Sequence, residues 1–301
     1  MKDNKNSFVC IGAVHMDHIL QLQKKYFKYR TNPIIQKELL GGVAYNIALN
    51  LSFFKKKIEL ISLNCKNEIK TVILNNKIKF IPLTKAVVNR SYYSILNKKG
   101  EVILGLANME SYENLKILKQ KIELRNKHII FDLNLSNQNI YYLIKKYSIN
   151  NNICVCGTSA HKVYKIKNLL AEINTIILNK QEGLSLTKKK TIKKTIFDLV
   201  KKNEKLTIII TNSSKTLMAY HNKIIYSCKP PKIKIQNENG AGDVMSAYFN
   251  YFIISLEFKE ALIKSMVAGS LQAFGYQADK KTYLQKIDQI SKKTKIKTKV
   301  I

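Results

Sequence analysis

A short run of small residues followed by a long apolar stretch, NGAGDVMSAYFNYFIISL (residues 239–256), is the most informative part of this sequence. The mostly apolar residues from Val244 to Leu256 predict a buried helix. Gly240, Ala241 and Gly242 leave the first backbone N–H groups of that helix unhindered, at the positive end of its dipole, which suits an anion. Asp243 lies in the first turn, where the dipole favours its ionised form. The segment predicts an anion-binding loop beside an acid, with plain stabilisation of the helix end as the alternative.

A second glycine motif, LLGGVAYNIA (residues 39–48), opens another predicted helix over 43–54. The adjacent Gly41 and Gly42 allow a ligand to approach the backbone closely at a helix start. Asn46 lies one helical turn further on and could face the same ligand. The alternative is an ordinary junction of loop and helix with an exposed asparagine.

Strand-like and helix-like patterns alternate along most of the chain. The predicted buried strands cover 8–14, 58–63, 78–81, 128–133, 153–156, 175–178 and 206–211. The predicted helices between them cover 43–54, 115–124, 139–147, 160–171 and 191–202. This alternation predicts an α/β fold with a mostly parallel, doubly wound sheet and helices on both faces.

Two stretches interrupt that alternation. Residues 92–97 and 101–106 flank Lys98-Lys99-Gly100, which predicts a β-hairpin with glycine at a position of positive φ. The stretch 18–38 has no helical period and carries a turn at Asn32-Pro33. We therefore expect one domain over 1–301, with a small β-layer formed from about 18–38 and 88–107.

The amino-acid composition limits the classes of protein to which this chain could belong. The chain has 301 residues, of which 46% are hydrophobic and 24% charged, enough to bury a full-sized core. No apolar stretch is long enough to span a membrane, and residues 8–14 are too short for a secretory signal, so we expect a cytoplasmic protein without membrane contact. Five cysteines without a C-x-x-C pair predict reduced, buried thiols; a metal pair at Cys154 and Cys156 is the alternative.

The net charge of +32 is the feature that most suggests a nucleic-acid binder. However, only Arg30, Arg90 and Arg125 are arginines, whose forked donors are favoured in base and phosphate recognition. The lysines are spread along the whole chain together with abundant Asn and Ile, which AT-rich codons encode. We interpret the charge as codon bias and expect no nucleic-acid partner. The basic tail 280–299 is interpreted as a solvated helix end, with a nucleic-acid arm as the alternative.

The two glycine motifs, in this order and at this separation, resemble the two signatures of the PfkB-type, ribokinase-like carbohydrate kinases. Residues 11–17 look like the family's first strand, which ends in a sugar-binding Asp, and 179–182 (NKQE) are similar to its N-x-x-E motif. Within the family the likeness is greatest to pseudouridine kinases, and residues 32–51, 90–109 and 158–162 carry it.

The resemblance implies ATP-dependent phosphorylation of the 5′-hydroxyl of pseudouridine, in a doubly wound fold whose β-lid is often a dimer contact. Asp243 would be the general base, and Gly240, Ala241 and Gly242 would stabilise the moving phosphoryl group. Four residues would hold the sugar: Asp17, Gly41, Gly42 and Asn46. Four others would serve the nucleotide: Asn179, Glu182, Thr211 and Asn212. Glu182 would also act on Mg²⁺, through water, and a monovalent cation is an optional third cofactor.

The chain departs from the family pattern at several positions. Asn239 stands where the family usually has Thr, and His15 stands where Asn is usual. The loop 212–216 lacks the glycine that normally approaches the nucleotide, so we expect a Michaelis constant for ATP above that for the sugar, or tolerance of other triphosphates. The alternatives are a kinase of another nucleoside or of ribose, and a non-catalytic relic of such a kinase.

Two further features are ambiguous in the sequence. Asp132-Leu133-Asn134 follows a predicted strand and could point into the same crevice, although a turn-forming asparagine is the favoured interpretation. Lys162 is interpreted as a surface lysine, because lysine is abundant throughout the chain.

Overall fold

The computed structural model describes residues 7–108, 110–115, 117, 122–234, 236 and 238–301. Its strands are β1 (Ser7–Ile11), β2 (His15–Leu22), β3 (Ile34–Gly41), β4 (Lys57–Ser62), β5 (Ile78–Pro82), β6 (Ser91–Leu96), β7 (Val102–Asn108), β8 (His128–Phe131), β9 (Asn152–Cys156), β10 (Thr175–Asn179), β11 (Thr207–Thr211), β12 (Leu217–His221), β13 (Ile224–Cys228) and β14 (Ile296–Val300). Its helices are α1 (Val43–Ser52), α2 (Asn67–Asn75), α3 (Glu110–Asn114), α4 (Asn137–Tyr147), α5 (Lys180–Thr187), α6 (Ile192–Lys202), α7 (Ala241–Phe252), α8 (Phe258–Phe274) and α9 (Lys280–Lys293).

A ten-stranded sheet organises the chain in the order β14-β13-β12-β11-β10-β9-β8-β1-β4-β5. The strands from β11 to β5 in this order are all parallel to their neighbours. The three strands at the other edge are antiparallel. The parallel strands match the predicted ones to within a few residues, because strands covered on both faces are continuous apolar runs.

Helices cover both faces of this sheet, as the sequence predicts. Along β1 the buried side chains alternate between two apolar clusters: Phe8 and Cys10 belong to one, Val9 and Ile11 to the other. The first cluster contains the buried residues of α1, α7 and α8, and the second those of α4 and α6. Both glycine motifs therefore begin helices on the same face of the sheet.

Two predicted helices differ from the structure. Residues 115, 117 and 122–124 are not helical, and the rest of the predicted helix 115–124 lies outside the described residues. The stretch 160–171 forms turns and short 3-10 segments, Val163–Ile166 and Leu170–Glu172, instead of an α-helix. The basic tail forms α9, which buries Tyr283 and Ile287, and then the edge strand β14, which the sequence analysis did not predict.

A second, four-stranded sheet has the order β3-β2-β6-β7. The predicted hairpin is confirmed as β6 and β7, with Gly100 in the turn at φ 84°. The stretches 18–38 and 88–107 supply most of this sheet, although β2 and β6 pair in parallel. Several of its apolar side chains are exposed, including Leu39, Val102 and Leu104. Closure of this sheet over a ligand, and a homodimer through it, stay predictions.

The cysteine prediction is confirmed, because all five thiols are free and buried. Among the residues that the structure describes, no group of three His, Cys, Asp or Glu side chains could hold a metal ion. No helix in the described part of the chain is both long and apolar enough to cross a bilayer.

Candidate active site

The fold brings the two glycine motifs together. Helices α1 and α7 pack side by side, and Asn46 Nδ2 donates a 2.8 Å hydrogen bond to Asp243 Oδ2 across 197 residues of sequence. Asn46 is part-buried and lies one turn into α1, while Asp243 lies in the first turn of α7. The predicted sugar-binding asparagine and the predicted general base are therefore direct neighbours.

Asp17 completes this side of the site from β2. Its Oδ1 atom lies 2.8 Å from His15 Nε2, and its Oδ2 atom lies over Gly41. A Cβ atom at position 41 would be only 2.2 Å from Asp17 Oδ2, so the carboxylate occupies space that only glycine leaves free. Gly42, with φ 110°, then begins α1. The predicted sugar-binding residues Asp17, Gly41, Gly42 and Asn46 thus line one corner.

The glycine loop before α7 is open on its outer side. Gly240 caps the helix at φ 75°, and the Ala241 N–H donates to the carbonyl oxygen of Glu238 at 3.2 Å. Apart from its own helix and chain neighbours, no atom of the described residues lies within 4 Å of the position that a Cβ would take on Gly242. The helix geometry leaves the following first-turn N–H groups without acceptors inside the helix. This end of α7 can therefore accept an anion.

A cavity of about 510 Å³ lies against this helix end. It is lined by Asn179, Thr211, Asn212, Ala241 and Gly242, among others. All five of these are predicted phosphate- or nucleotide-binding residues. In the loop 212–216, Ser213 takes a positive φ of 47°, a conformation that costs energy without glycine.

Asn179 and Glu182 bind each other at the start of α5. Asn179 Oδ1 accepts from the Glu182 N–H at 2.9 Å, and Glu182 Oε2 accepts from the Asn179 N–H at 2.8 Å, which is a capping box. The Glu182 carboxyl lies over Gly157, where a Cβ would be 1.9 Å from Oε2. Burial raises the pKa of Glu182. The N-x-x-E motif thus forms a helix cap, in which Asn179 lines the cavity and Glu182 is buried behind it.

Asp243 is an acid whose pKa is strongly raised by its surroundings. Burial, first, and then the nearby acids Asp132, Glu182 and Asp17 raise its pKa from 3.8 to about 7, while the hydrogen bond from Asn46 acts in the opposite direction. The helix dipole favours ionisation, as the sequence analysis states, but burial and the nearby acids outweigh it. The surrounding acids come from separate parts of the chain, and only the fold assembles them.

Four residues that the sequence analysis undervalued form a buried network beside the sugar corner. Asp132 Oδ2 accepts from the N–H groups of Ala13 and Ala44 at 2.9 and 3.1 Å. Asn134 is also buried, and its Oδ1 accepts from Arg90 at 3.1 Å and from Lys162 at 2.8 Å. The interpretations of Asn134 as a plain turn residue and of Lys162 as a surface lysine are therefore wrong. The order Asp-x-Asn after a buried strand was a sequence signal for Asp132 and Asn134, while Arg90 and Lys162 lie in the segments 90–109 and 158–162 that carry the family resemblance.

Comparison with solved structures defines the class of fold. A carbohydrate kinase from Agrobacterium tumefaciens superposes with a TM-score of 0.82 at 19% identity, covering 98% of this chain and 100% of that one. A nucleoside kinase from Methanocaldococcus jannaschii gives a TM-score of 0.74 at 16% identity, covering 96% and 98% of the two chains. Arabidopsis thaliana ribokinase, solved with ribose and ATP, gives 0.75 at 14% identity, covering 94% and 98%. The predicted ribokinase-like α/β fold is confirmed.

The sequence itself matches the profile of the pfkB family carbohydrate kinases over residues 5–280. The chain belongs to the PfkB family of carbohydrate kinases. A sequence search of curated proteins gives no match.

Proposed function

We propose that this protein transfers the γ-phosphoryl group of ATP to the 5′-hydroxyl of pseudouridine. The observation that carries the proposal is the 2.8 Å hydrogen bond between Asn46 and Asp243, which joins a sugar-binding corner to an acid at an anion-binding helix end. The choice of pseudouridine within the family rests on the sequence resemblance of 32–51, 90–109 and 158–162.

Asp243 acts as the general base in this mechanism. A base works best when its pKa lies near the working pH, and the pKa of Asp243 is raised to about 7. Its carboxylate takes the proton of the substrate hydroxyl as that oxygen attacks the phosphorus, and Asn46 holds the carboxylate in place. The N–H groups of Gly240 and Gly242 stabilise charge on the transferred phosphoryl group, and that of Ala241 joins them when it leaves the Glu238 carbonyl oxygen.

The sugar is held from the opposite side. Asp17 presents one carboxylate oxygen over Gly41, where it accepts a hydrogen bond from a ribose hydroxyl in this proposal, while His15 binds the other oxygen. Binding of the other ribose hydroxyls at Asp17 directs the 5′-hydroxyl toward Asp243. The reacting groups are then already positioned, which lowers the entropic part of the activation barrier.

The cavity at the start of α7 is the proposed nucleotide site. Its volume of about 510 Å³ and its lining by Thr211, Asn212 and Gly242 suit the phosphates and ribose of ATP. The Glu182 carboxyl is the acid of this chain that would serve Mg²⁺ here, together with Asn179. Mg²⁺ binds few protein carboxylates and keeps several waters, so these two side chains are a sufficient protein contribution. When bound, the ion neutralises phosphate charge.

A substrate panel tests the proposal. The protein is incubated with Mg-ATP and pseudouridine, uridine, adenosine or ribose, and the product is identified by mass as a monophosphate. We expect pseudouridine 5′-phosphate as the fastest product and its loss in Asp243→Asn. Asp288→Asn is the matched control, because its carboxyl is half exposed in a surface ion pair. Faster turnover of another nucleoside or of ribose would transfer the assignment to that substrate, and no turnover of any would favour a non-catalytic relic.

A further inference from the structure

We propose that the tip of the small sheet is a docking surface for the headgroup region of an anionic lipid bilayer. The tip consists of two loops, residues 23–33 between β2 and β3 and residues 97–101 between β6 and β7. The loops lie together, because the side-chain amide of Gln21, near the end of β2, donates to the carbonyl oxygen of Lys98 at 3.3 Å. Both loops also line one cavity of about 820 Å³. No residue assigned to the sugar or the nucleotide belongs to either loop.

Three aromatic side chains of the loop 23–33 are turned toward solvent. Tyr26 is 56% exposed, Phe27 57% and Tyr29 88%. The structure describes all 11 phenylalanines of the chain, and Phe27 is the only exposed one among them. Apolar rings are unfavourable in water, and a group of exposed ones marks a surface that binds a partner. These three rings therefore identify the tip as an interaction surface.

The loop that carries the rings has a defined conformation. The N–H group of Gln23 donates to the carbonyl oxygen of Pro33 at 3.1 Å, which closes the base of the loop. The Asn32 side chain accepts from the Phe27 N–H group at 2.8 Å and donates to the carbonyl oxygens of Phe27 and Arg30 at 2.9 and 2.7 Å. Because this backbone is already ordered, docking of the rings costs less conformational entropy.

The charges of the two loops suit an anionic surface. Their one acid is Glu101, which already accepts a 2.6 Å hydrogen bond from Asn97 Nδ2. Their six basic residues are Lys24, Lys25, Lys28, Arg30, Lys98 and Lys99. The whole chain has 52 basic for 20 acidic residues, so the excess at the tip is greater than the general lysine bias explains. Basic residues are attracted to anionic lipid headgroups, and aromatic rings favour the interface between headgroups and acyl chains.

Aliphatic side chains beside the loops favour a bilayer over a nucleic acid. Ile34 and Ile35 follow the longer loop, Val102, Ile103 and Leu104 follow the shorter one, and all five are exposed. Aliphatic groups can enter the acyl boundary of a bilayer. A nucleic acid instead offers phosphates and base faces, which arginine forks and stacked rings bind best. The expectation of no membrane contact rested on the lack of a spanning segment in the sequence, and peripheral contact requires none.

Docking by the tip leaves the sugar corner open. Asp17 lies near the start of β2 and Leu22 at its end, five residues further on. Along an extended strand this separation is about 16 Å. The docking surface and the proposed active site are therefore at opposite ends of β2, and each can be tested without the other.

Cosedimentation of the full chain with lipid vesicles tests the proposal. The vesicles are phosphatidylcholine alone or phosphatidylcholine with about 30% phosphatidylserine. We expect the partition coefficient to be at least about 10-fold higher on the anionic vesicles, and to fall about 10-fold when the salt rises from about 50 to about 500 mM. Phe27→Ser should lower the partition coefficient on anionic vesicles about 5- to 10-fold, and Lys24→Gln combined with Lys25→Gln about 10-fold.

Matched controls remove the same groups elsewhere on the surface. Tyr141→Ser removes a ring that is 50% exposed in α4, and Lys292→Gln combined with Lys293→Gln removes two exposed lysines of α9. We expect both controls to change the partition coefficient less than about twofold, because neither position belongs to the tip.

Each other outcome overturns the inference. Equal losses in the tip variants and the controls would show that only the overall charge of the chain binds the vesicles. Equal binding to neutral and anionic vesicles, or none to either, would remove the bilayer as the partner. Binding of a single-stranded RNA oligonucleotide that depends on Phe27, without vesicle binding, would assign the tip to nucleic acid. A dimer in light scattering that Phe27→Ser dissociates, again without vesicle binding, would assign it to a second copy of this chain.

Discussion

Replacing Asp243 by Asn should abolish most catalysis while stabilising the fold. Asparagine has the same size and can still accept the hydrogen bond from Asn46, but it cannot take a proton at neutral pH. Loss of a general base costs about 10²- to 10⁴-fold in kcat, which is about 3–5 kcal/mol of transition-state stabilisation. The dissociation constant for pseudouridine should change by less than about threefold, because Asp243 is assigned to the chemistry and Asp17 to binding.

The effect on stability follows from the raised pKa. The Asp243 carboxyl has a pKa of about 7 in the folded protein against 3.8 without the fold, so the native state binds more protons between these values. The free energy of unfolding therefore falls as the pH rises from about 4 to about 7. Above that range the ionised carboxylate destabilises the folded state. A shift of this size corresponds to about 4 kcal/mol, and partial exposure at the mouth of the site reduces it to about 1–3 kcal/mol. The neutral amide of the Asp243→Asn variant carries no such cost.

Denaturant unfolding at pH 5 and pH 8 measures this difference. We expect the free energy of unfolding of Asp243→Asn to exceed that of the wild type by about 1–3 kcal/mol at pH 8 and by clearly less at pH 5, where the wild type has lost only part of this stability. Asp288→Asn should show no comparable widening, since that carboxyl is half exposed. A constant gap between the two pH values would refute the electrostatic argument, and near-normal kcat would remove Asp243 from the role of base.

Three further predictions concern the same site. In the wild type, kcat should rise with a midpoint near pH 7 as Asp243 loses its proton, and a flat pH–rate profile from 6 to 8 would contradict this. Gly157→Ala should place a methyl group 1.9 Å from Glu182 Oε2, displace that carboxyl and raise the KM for Mg-ATP about tenfold, with little change for the sugar. Gly41→Ala should crowd Asp17 Oδ2 at 2.2 Å and raise the KM for the sugar about tenfold, with little change for Mg-ATP. Steady-state kinetics of both glycine variants checks the last two together, and a reversed or shared effect would contradict the separation of the two half-sites.

The parallel part of the large sheet was predictable because each strand is covered on both faces. Burial on both faces demands an uninterrupted apolar run, such as Ile208-Ile209-Ile210, and such runs are visible without knowledge of their neighbours. The antiparallel edge was not predictable in this way. In β13 and the edge strand β14, polar and charged residues such as Ser227 and Lys297 interrupt the apolar pattern. Strands at this end of the sheet are partly exposed to solvent and do not need a continuous apolar run.

The glycine motifs and Asp243 could be located in the sequence because their signal is local. Residues that lie within one turn of a helix start reveal their relation by spacing alone. Lys162 has no such signal. It is one lysine in a chain whose Lys and Arg total 52, and its importance comes from a hydrogen bond to Asn134, which lies 28 residues away. Arg90 meets the same oxygen from 44 residues away. Contacts of this kind depend on how strand ends are arranged along the sheet, which a single sequence does not encode in any local pattern.

The electrostatics of the site shows the same dependence on tertiary structure. At a helix start, Asp243 alone would be an ordinary acid favoured in its charged form. The fold removes most of its carboxyl from water and places Asp132, Glu182 and Asp17 around it, and these effects together exceed the influence of the dipole and of Asn46. In this environment the carboxylate form of Asp243 is destabilised, so its affinity for a proton at neutral pH is higher. Its use as a base and its cost to stability consequently have one physical origin, and any substitution that removes the neighbouring acids should reduce both.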